Sequence, residues 1–337
     1  MAAYLVKRFI LAAFTLLTIL FVSYCLLRLA PGDPTRSNLF GSDNAGMAVD
    51  SEKGGLAGNQ ALREKLNLDK PLIIGFCLWL EDIILHCDFG ESATVDPGRP
   101  VVDLISERLP VTLLLNISAV LLTYLLAIPL GVMTAERAGG VFDKVTEFSL
   151  FVLYSLPVMW IGLLLQAFLC EGGVFEVFPL KGIGVENPDS CSIWQLQWQY
   201  IKSCTLPVCC LAYGGFAGLS RYARSGMLEV INSDYIRTAR AKGLDEFCVV
   251  WKHGFRNALV TMVTLFGGLL PGLVAGSVIV EYIFNIPGMG TLSLLALSSR
   301  DYPLQMALFA FSGALTLAGI FISDMLYLAV DPRIRLK

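Results

Sequence analysis

Long apolar runs alternate with shorter polar joins along the whole chain. A run of about 20 apolar residues is what an α-helix needs to cross a bilayer core. Six such runs occur, at 9–29, 111–133, 148–169, 204–220, 258–280 and 304–330. The fourth is the shortest and is interrupted by Gly214, Gly215 and Gly218, so its ends are the least sharply marked. Inside the runs the only charged residues are Arg28, near the end of the first, and Asp324, in the last. The pattern predicts an all-α polytopic membrane protein with six transmembrane helices and no soluble core of any size.

The joins add organisation. Residues 1–29 form an N-terminal transmembrane helix, and 30–110 a large loop region. Within that loop, 37–60 is rich in Gly, Ser, Asn and Asp and reads as irregular. After it, ALREKLNLDKPLIIGFCLWLEDIILHC reads as a short polar helix, a turn at Pro71 and an amphipathic helix near the membrane interface. DPGRP at 96–100 is turn chemistry, and VVDLISERLPVTLLL leads into the second run, with Pro110 marking the change from amphipathic to membrane character. Residues 111–330 are the core, with a polar hairpin at 221–257, and 331–337 form a tail.

The fifth run carries Gly267, Gly268, Pro271, Gly272 and Gly276 within ten positions. Small residues let helix backbones approach closely, and proline kinks a membrane helix. These five are therefore candidates for lining a translocation pathway, with tight packing alone as the equal alternative. FNIPGMG at 284–290 follows as a turn. Asp324 is a functional candidate by its depth, since charge inside a membrane is costly. Its nearness to the end of the last run favours a local cap or pair instead.

Composition agrees with the pattern. Charged residues make up 16% of the chain and hydrophobic ones 55%, with a mean hydropathy of +0.66, against about 25% charged in an ordinary soluble domain. Lys7 and Arg8 precede the first run, but that run exceeds a signal h-region and RLAPGDPT is no small-residue cleavage site, so it reads as a retained helix. With the N-terminus inside, the segments 1–8, 134–147, 221–257 and 331–337 hold 14 Lys/Arg in 66 residues. The opposite segments hold 10 in 138. The imbalance predicts that both termini and the hairpin face the cytoplasm. Counting acids, the cytoplasmic segments carry +6 and the outer ones −9. A basic cytoplasmic face suits anionic headgroups or an acidic protein partner, and nothing calls for nucleic acid.

Nine cysteines are scattered rather than set out as CxxC pairs. Cys77, Cys87, Cys191 and Cys204 fall on or near the outer side, where a disulfide is chemically allowed and free thiols are the alternative. His86-Cys87-Asp88 is too sparse a set to predict a metal.

The most informative polar stretch is DYIRTARAKGLDEFCVVWKHGFRNAL, 234–259. Asn232, Ser233 and Asp234 are good N-cap types, Gly243 suits a left-handed stop, and Asp245 suits a cap for a second helix. Ile236, Ala239, Gly243, Phe247 and Val250 recur at helical spacing as an apolar stripe, with Arg237, Arg240 and Lys242 elsewhere. A two-turn helix is marginal alone in water and needs something to dock against. Three readings stay open from the residues alone: a partner protein, the lipid surface, or an ordinary positively charged loop.

This stretch closely resembles the cytoplasmic loop of ABC-transporter permeases of the oligopeptide, dipeptide and nickel importers. Arg237, Thr238 and Ala239 occupy the places of the general importer pattern's Glu-Ala-Ala, and Gly243 its glycine. RLAPGDPT at 28–35, GRPVVDLISERLPVTLLL at 98–115, IPGMGTL at 286–292, RDYPLQ at 300–305 and DPRIRL at 331–336 resemble the same subfamily, in the expected order. The large loop after the first helix resembles the first of the two permeases such systems use. The chain departs from the family at Thr261, where proline is common, and in its longer 170–203 loop.

The resemblance implies a type I ABC importer permease fold in a bacterial inner membrane. It implies a second permease subunit, two cytoplasmic ATPase subunits that bind ATP and Mg, and an extracytoplasmic substrate-binding protein. ATPase coupling falls on Tyr235, Ile236, Arg237, Thr238, Ala239, Arg240, Ala241, Lys242 and Gly243, as a helix seated in a cleft of the motor. The chain itself has no Gly-Lys dipeptide for a P-loop and only His86 and His253 as histidines, so it is expected to be no enzyme and to hold no cofactor or metal. Oligopeptides are the expected cargo, with dipeptides or nickel as alternatives. An autonomous secondary transporter would need mid-membrane charges and inverted repeats that the runs lack. A non-transporting scaffold would use the hairpin for docking alone.

Overall fold

The computed structural model describes residues 2–29, 69–180, 182, 192–258 and 272–330. Helices dominate: α1 Ala2–Leu29, α2 Leu72–His86, α3 Val101–Glu136, α4 Val141–Ser155, α5 Val158–Leu169, α6 Ile193–Ile231 and α7 Asp234–Ala241. A π-helix at Cys248–Gly254 follows, then α8 Gly272–Ala275, α9 Val278–Ile283, α10 Met289–Ser299 and α11 Tyr302–Val330. The described residues divide into two compact units, Met1–Pro110 with Thr291–Leu317, and Val111–Gly290 with Ala318–Lys337.

In the first unit, Phe76 of α2 packs between Phe21 and Tyr24 of α1, with ring centroids 5.2 and 5.6 Å away. Leu20 and Met306 complete this core. Ile73, Ile74, Ile84 and Leu85 of α2 stay exposed. Thus α2 is apolar on two sides rather than amphipathic, because one side is needed for α1. The segment leading into α3 is tied down by Asp301, which is fully buried. One of its carboxylate oxygens accepts hydrogen bonds from Ser92 Oγ and from the backbone N–H groups of Ala93, Thr94 and Val95, at 2.5–3.1 Å.

The second unit corrects the sequence reading twice. The expected span 148–169 is two helices, α4 and α5, bent by 92°. Pro157 has no N–H to continue α4, and Leu156 before it is extended (φ −86°, ψ 130°). Tyr213 of α6 brings its hydroxyl to this break, as a donor within reach of the carbonyls of Leu153 and Leu156. The fifth span, expected to run unbroken to 280, is interrupted between α8 and α9 at Gly276 and Ser277. Its stretch 259–271 lies outside the described residues.

Among the described residues, four helices are long and apolar enough to cross a membrane, or five if the bent pair counts as one span. The fold is all-α and polytopic; six separate spans do not emerge among the described residues. Two larger cores lie in the second unit beside the small one inside the hairpin. Leu115, Leu206, Cys210, Val280, Ile283 and Ile286 belong to one, and Val132, Ala135, Ala223, Met227, Val250 and Ala258 to the other. The second core supports the hairpin. Cys77, Cys87 and Cys204 are free thiols.

Candidate functional site: the 234–258 hairpin

Helix α6 ends at Ile231, and the chain turns through Asn232 and Ser233 into α7. Ser233 is extended and its carbonyl accepts from Ile236 and Arg237 N–H, as an N-cap residue's does. Its hydroxyl turns back to Val230 O (2.6 Å) rather than capping α7. Gly243 takes φ +76° and stops the helix, the one backbone feature here that glycine satisfies without strain. Asp245 then starts the second limb: Oδ2 accepts from Phe247 N (3.2 Å) and its carbonyl from Val249 N (2.9 Å).

The second limb is a π-helix over seven residues, where α-helix was expected. Both Val249 and Val250 are buried, in two different clusters. Val249 meets Ile236 and Ala239, whereas Val250 faces Met227, Ala223 and Val132. The wider turn lets two adjacent side chains serve two neighbours. Gly254 is buried too, and a Cβ there would lie 3.3 Å from Met227 Cε.

Burial corrects the expected docking face. Ile236 is 1% exposed and Ala239 is buried against Val249, inside the hairpin. The apolar stripe is therefore split. Ile236, Ala239 and Val250 stabilise the protein's own fold, while Gly243 and Phe247 remain outside. Tyr235, Arg237, Thr238, Arg240, Ala241, Lys242 and Gly243 are all exposed. Leu244, which the stripe did not include, and Phe247, which it did, both face outward, the latter 70% exposed. The signal for Leu244 was available, since it follows the glycine stop.

The exposed face is mixed rather than purely basic. Arg240 forks onto Glu246 (2.7 and 3.3 Å), and Arg237 lies 3.6 Å from Asp234. Tyr235 Oη accepts from Asn257 Nδ2 (2.7 Å), joining the two limbs. Phe247, Trp251 and Phe255 form a ladder with centroids 6.2 and 5.7 Å apart. Chemically, the site is a two-limbed projection with no metal-ligating cluster among its described residues. It suits docking.

The pathway candidates fare differently. Gly267, Gly268 and Pro271 lie outside the described residues. Gly272 is exposed, and a Cβ there would meet nothing within 4 Å. Gly276, at φ +69°, has a specific neighbour: a Cβ there would come within 2.7 Å of Glu281 Oε1. Glu281 is 3% exposed, and Cβ atoms on Gly288 or Gly290 would also strike its carboxylate. Thr112 Oγ1 donates to Glu281 Oε1 (3.2 Å) and accepts from Met289 N (2.8 Å). The glycines make room for a buried carboxylate that holds the 286–290 turn. The sequence hid this because Glu281 sits just past an apolar run and looks like an ordinary loop acid.

Described residues that are mostly helical, with several membrane-length helices and a projecting hairpin, define a polytopic membrane protein. Residues 127–336 match the family described as binding-protein-dependent transport system inner membrane component. The chain is 38% identical over 334 residues to the oligopeptide transport system permease protein AppB of Bacillus subtilis (strain 168), covering 99% of each. It is 33% identical over 342 residues to the dipeptide transport system permease protein DppB of the same organism, covering 100% of this chain and 99% of that one. Over 366 residues it is 31% identical to the inner membrane ABC transporter permease protein YejB of Escherichia coli O157:H7, covering 99% of each. The chain belongs to the binding-protein-dependent transport inner membrane family and is an integral-membrane permease subunit of an ABC importer.

Proposed function

We propose that this chain forms the translocation pathway for oligopeptides together with a second permease, and takes its energy from two ATPases docked at the 234–258 hairpin. The observation that carries the docking role is the split of the hairpin stripe. Ile236, Ala239 and Val249 lock the two limbs together, so force applied to the exposed residues passes to α3 and α6 through Val250, Met227 and Val132. A loose loop could not transmit it. The Lys/Arg imbalance supports a cytoplasmic side for both termini and the hairpin, where ATP and Mg would reside on the motor subunits. An extracytoplasmic binding protein delivers cargo to the opposite side. The chain contributes no hydrolytic chemistry of its own.

Oligopeptide cargo is favoured over dipeptides by the higher identity to the oligopeptide permease, 38% against 33%. The test is uptake in cells lacking only this gene, using labelled dipeptide, pentapeptide and nickel. Loss of pentapeptide uptake alone is the expected result. Loss of dipeptide or nickel uptake alone would reassign the cargo, and unchanged uptake of all three would refute transport.

A further inference from the structure

A polar pocket lies where α3 and α6 meet α4, beside the core that supports the 234–258 hairpin. It is lined by Thr134, Asp143, Glu147, Ser220, Arg221 and Arg224 among others, around a cavity of about 40 Å³ open on one side. Its floor is rigid. At Gly131 an added Cβ would fall 2.5 Å from Ser220 O, so α3 and α6 touch backbone to backbone there.

Two of the charges are already spent on each other. Asp143 is buried, and its carboxylate accepts from Arg224 Nε (2.7 Å), Arg224 Nη2 (2.8 Å) and Gly139 N (2.9 Å). Three groups remain. Ser220 is 1% exposed, and its hydroxyl has no hydrogen-bond partner. Buried polar groups normally find one. Arg221 and Glu147 are both exposed, and Glu147 lies close enough for its charge to act on Arg224 without a hydrogen bond to it. The pocket thus offers one cation, one anion and one unmet hydroxyl.

Depth indicates what such a set meets. Thr134, Glu147 and Ser220 stand at the ends of the apolar runs 111–133, 148–169 and 204–220. That is where hydrocarbon gives way to headgroups. A simple anion would leave Glu147 facing it, and a simple cation would leave Arg221 facing it. A ligand carrying a phosphate and a hydrogen-bonding ammonium a few atoms apart satisfies all three. We propose that this pocket binds the phosphoethanolamine headgroup of a phospholipid. Its phosphate accepts from Ser220 Oγ and Arg221, and its primary ammonium donates to Glu147. Choline cannot donate, and glycerol carries no cation, so the same geometry discriminates against both headgroups.

The experiment uses the full chain, stripped of lipid in mild detergent. Its apparent unfolding midpoint is measured with added phosphatidylethanolamine, phosphatidylcholine, phosphatidylglycerol or inorganic phosphate. Phosphatidylethanolamine is expected to raise the midpoint by about 3 °C or more, the scale set by ligand linkage in a chain this size. The other three should give less than half of that. R221Q and E147Q alter exposed side chains outside the Asp143–Arg224 pair, so their lipid-free midpoints should match the wild type while the shift disappears. An equal response to phosphatidylcholine overturns the proposal. So does an equal response to phosphatidylglycerol or phosphate, which would mean a plain anion site, and so does an unchanged shift in both variants.

Discussion

At the scale of single residues, two buried carboxylates organise the backbone around them. Asp301 gathers Ser92 and three successive backbone N–H groups, and Glu281 is enclosed by Gly276, Gly288 and Gly290. Asp301→Asn keeps the shape but weakens every charge-assisted bond and turns a donor toward donors. We expect a loss of about 2–3 kcal/mol and faster proteolysis at 92–96, measured as cleavage rate in detergent. Gly288→Ala would place a methyl 2.5 Å from the Glu281 carboxyl carbon. Overpacking of that kind costs about 1–3 kcal/mol, so its unfolding midpoint should fall. Gly272→Ala, which meets nothing, should leave it unchanged. Equal midpoints for the two would remove Glu281 from its organising role.

At the scale of elements, the hairpin separates what stabilises from what is presented. Ile236→Ala removes a buried side chain between the limbs and should cost about 2–4 kcal/mol, read as earlier protease cleavage near Gly243. Arg237→Glu changes an exposed position whose pairing with Asp234 is worth at most about 1 kcal/mol, so stability should hold. If Arg237→Glu proved the more destabilising change, the split of the stripe would be wrong. The sequence revealed the stop at Gly243 and the cap at Asp245 because both depend on local backbone chemistry. It could not reveal which neighbour the apolar stripe faces. Periodicity places Ile236 and Phe247 on one face, but the stop at Gly243 puts them on separate helices, so the period does not carry across it. The π-helix then sends Val249 and Val250 to different clusters.

At the scale of the whole molecule, hydropathy identified membrane helices and composition their class, yet the breaks were invisible to both. Leu156-Pro157 and Gly276-Ser277 lie inside runs that are apolar on either side, so a sum over about 20 residues passes across them unchanged. Prolines and glycines in membrane helices kink, break or merely pack according to what neighbours supply. Here Tyr213 supplies a hydroxyl at one break, and a buried carboxylate stands beside the other. These breaks give the permease bent elements, and the hairpin links its helix ends to the proposed motor. Docking is therefore the central claim.

Its most direct test is affinity purification of the tagged chain from mild detergent, wild type beside Phe247→Asp, with the co-purifying chains identified and quantified. Phe247 is too exposed for its loss to disturb the fold. The wild type should bring down a second permease and P-loop ATPases. Phe247→Asp should keep the permease and lose at least tenfold in ATPase recovery, the effect of removing about 1.4 kcal/mol or more of docking energy. Equal ATPase recovery by both, or a wild type that recovers the second permease without any ATPase, would contradict the account.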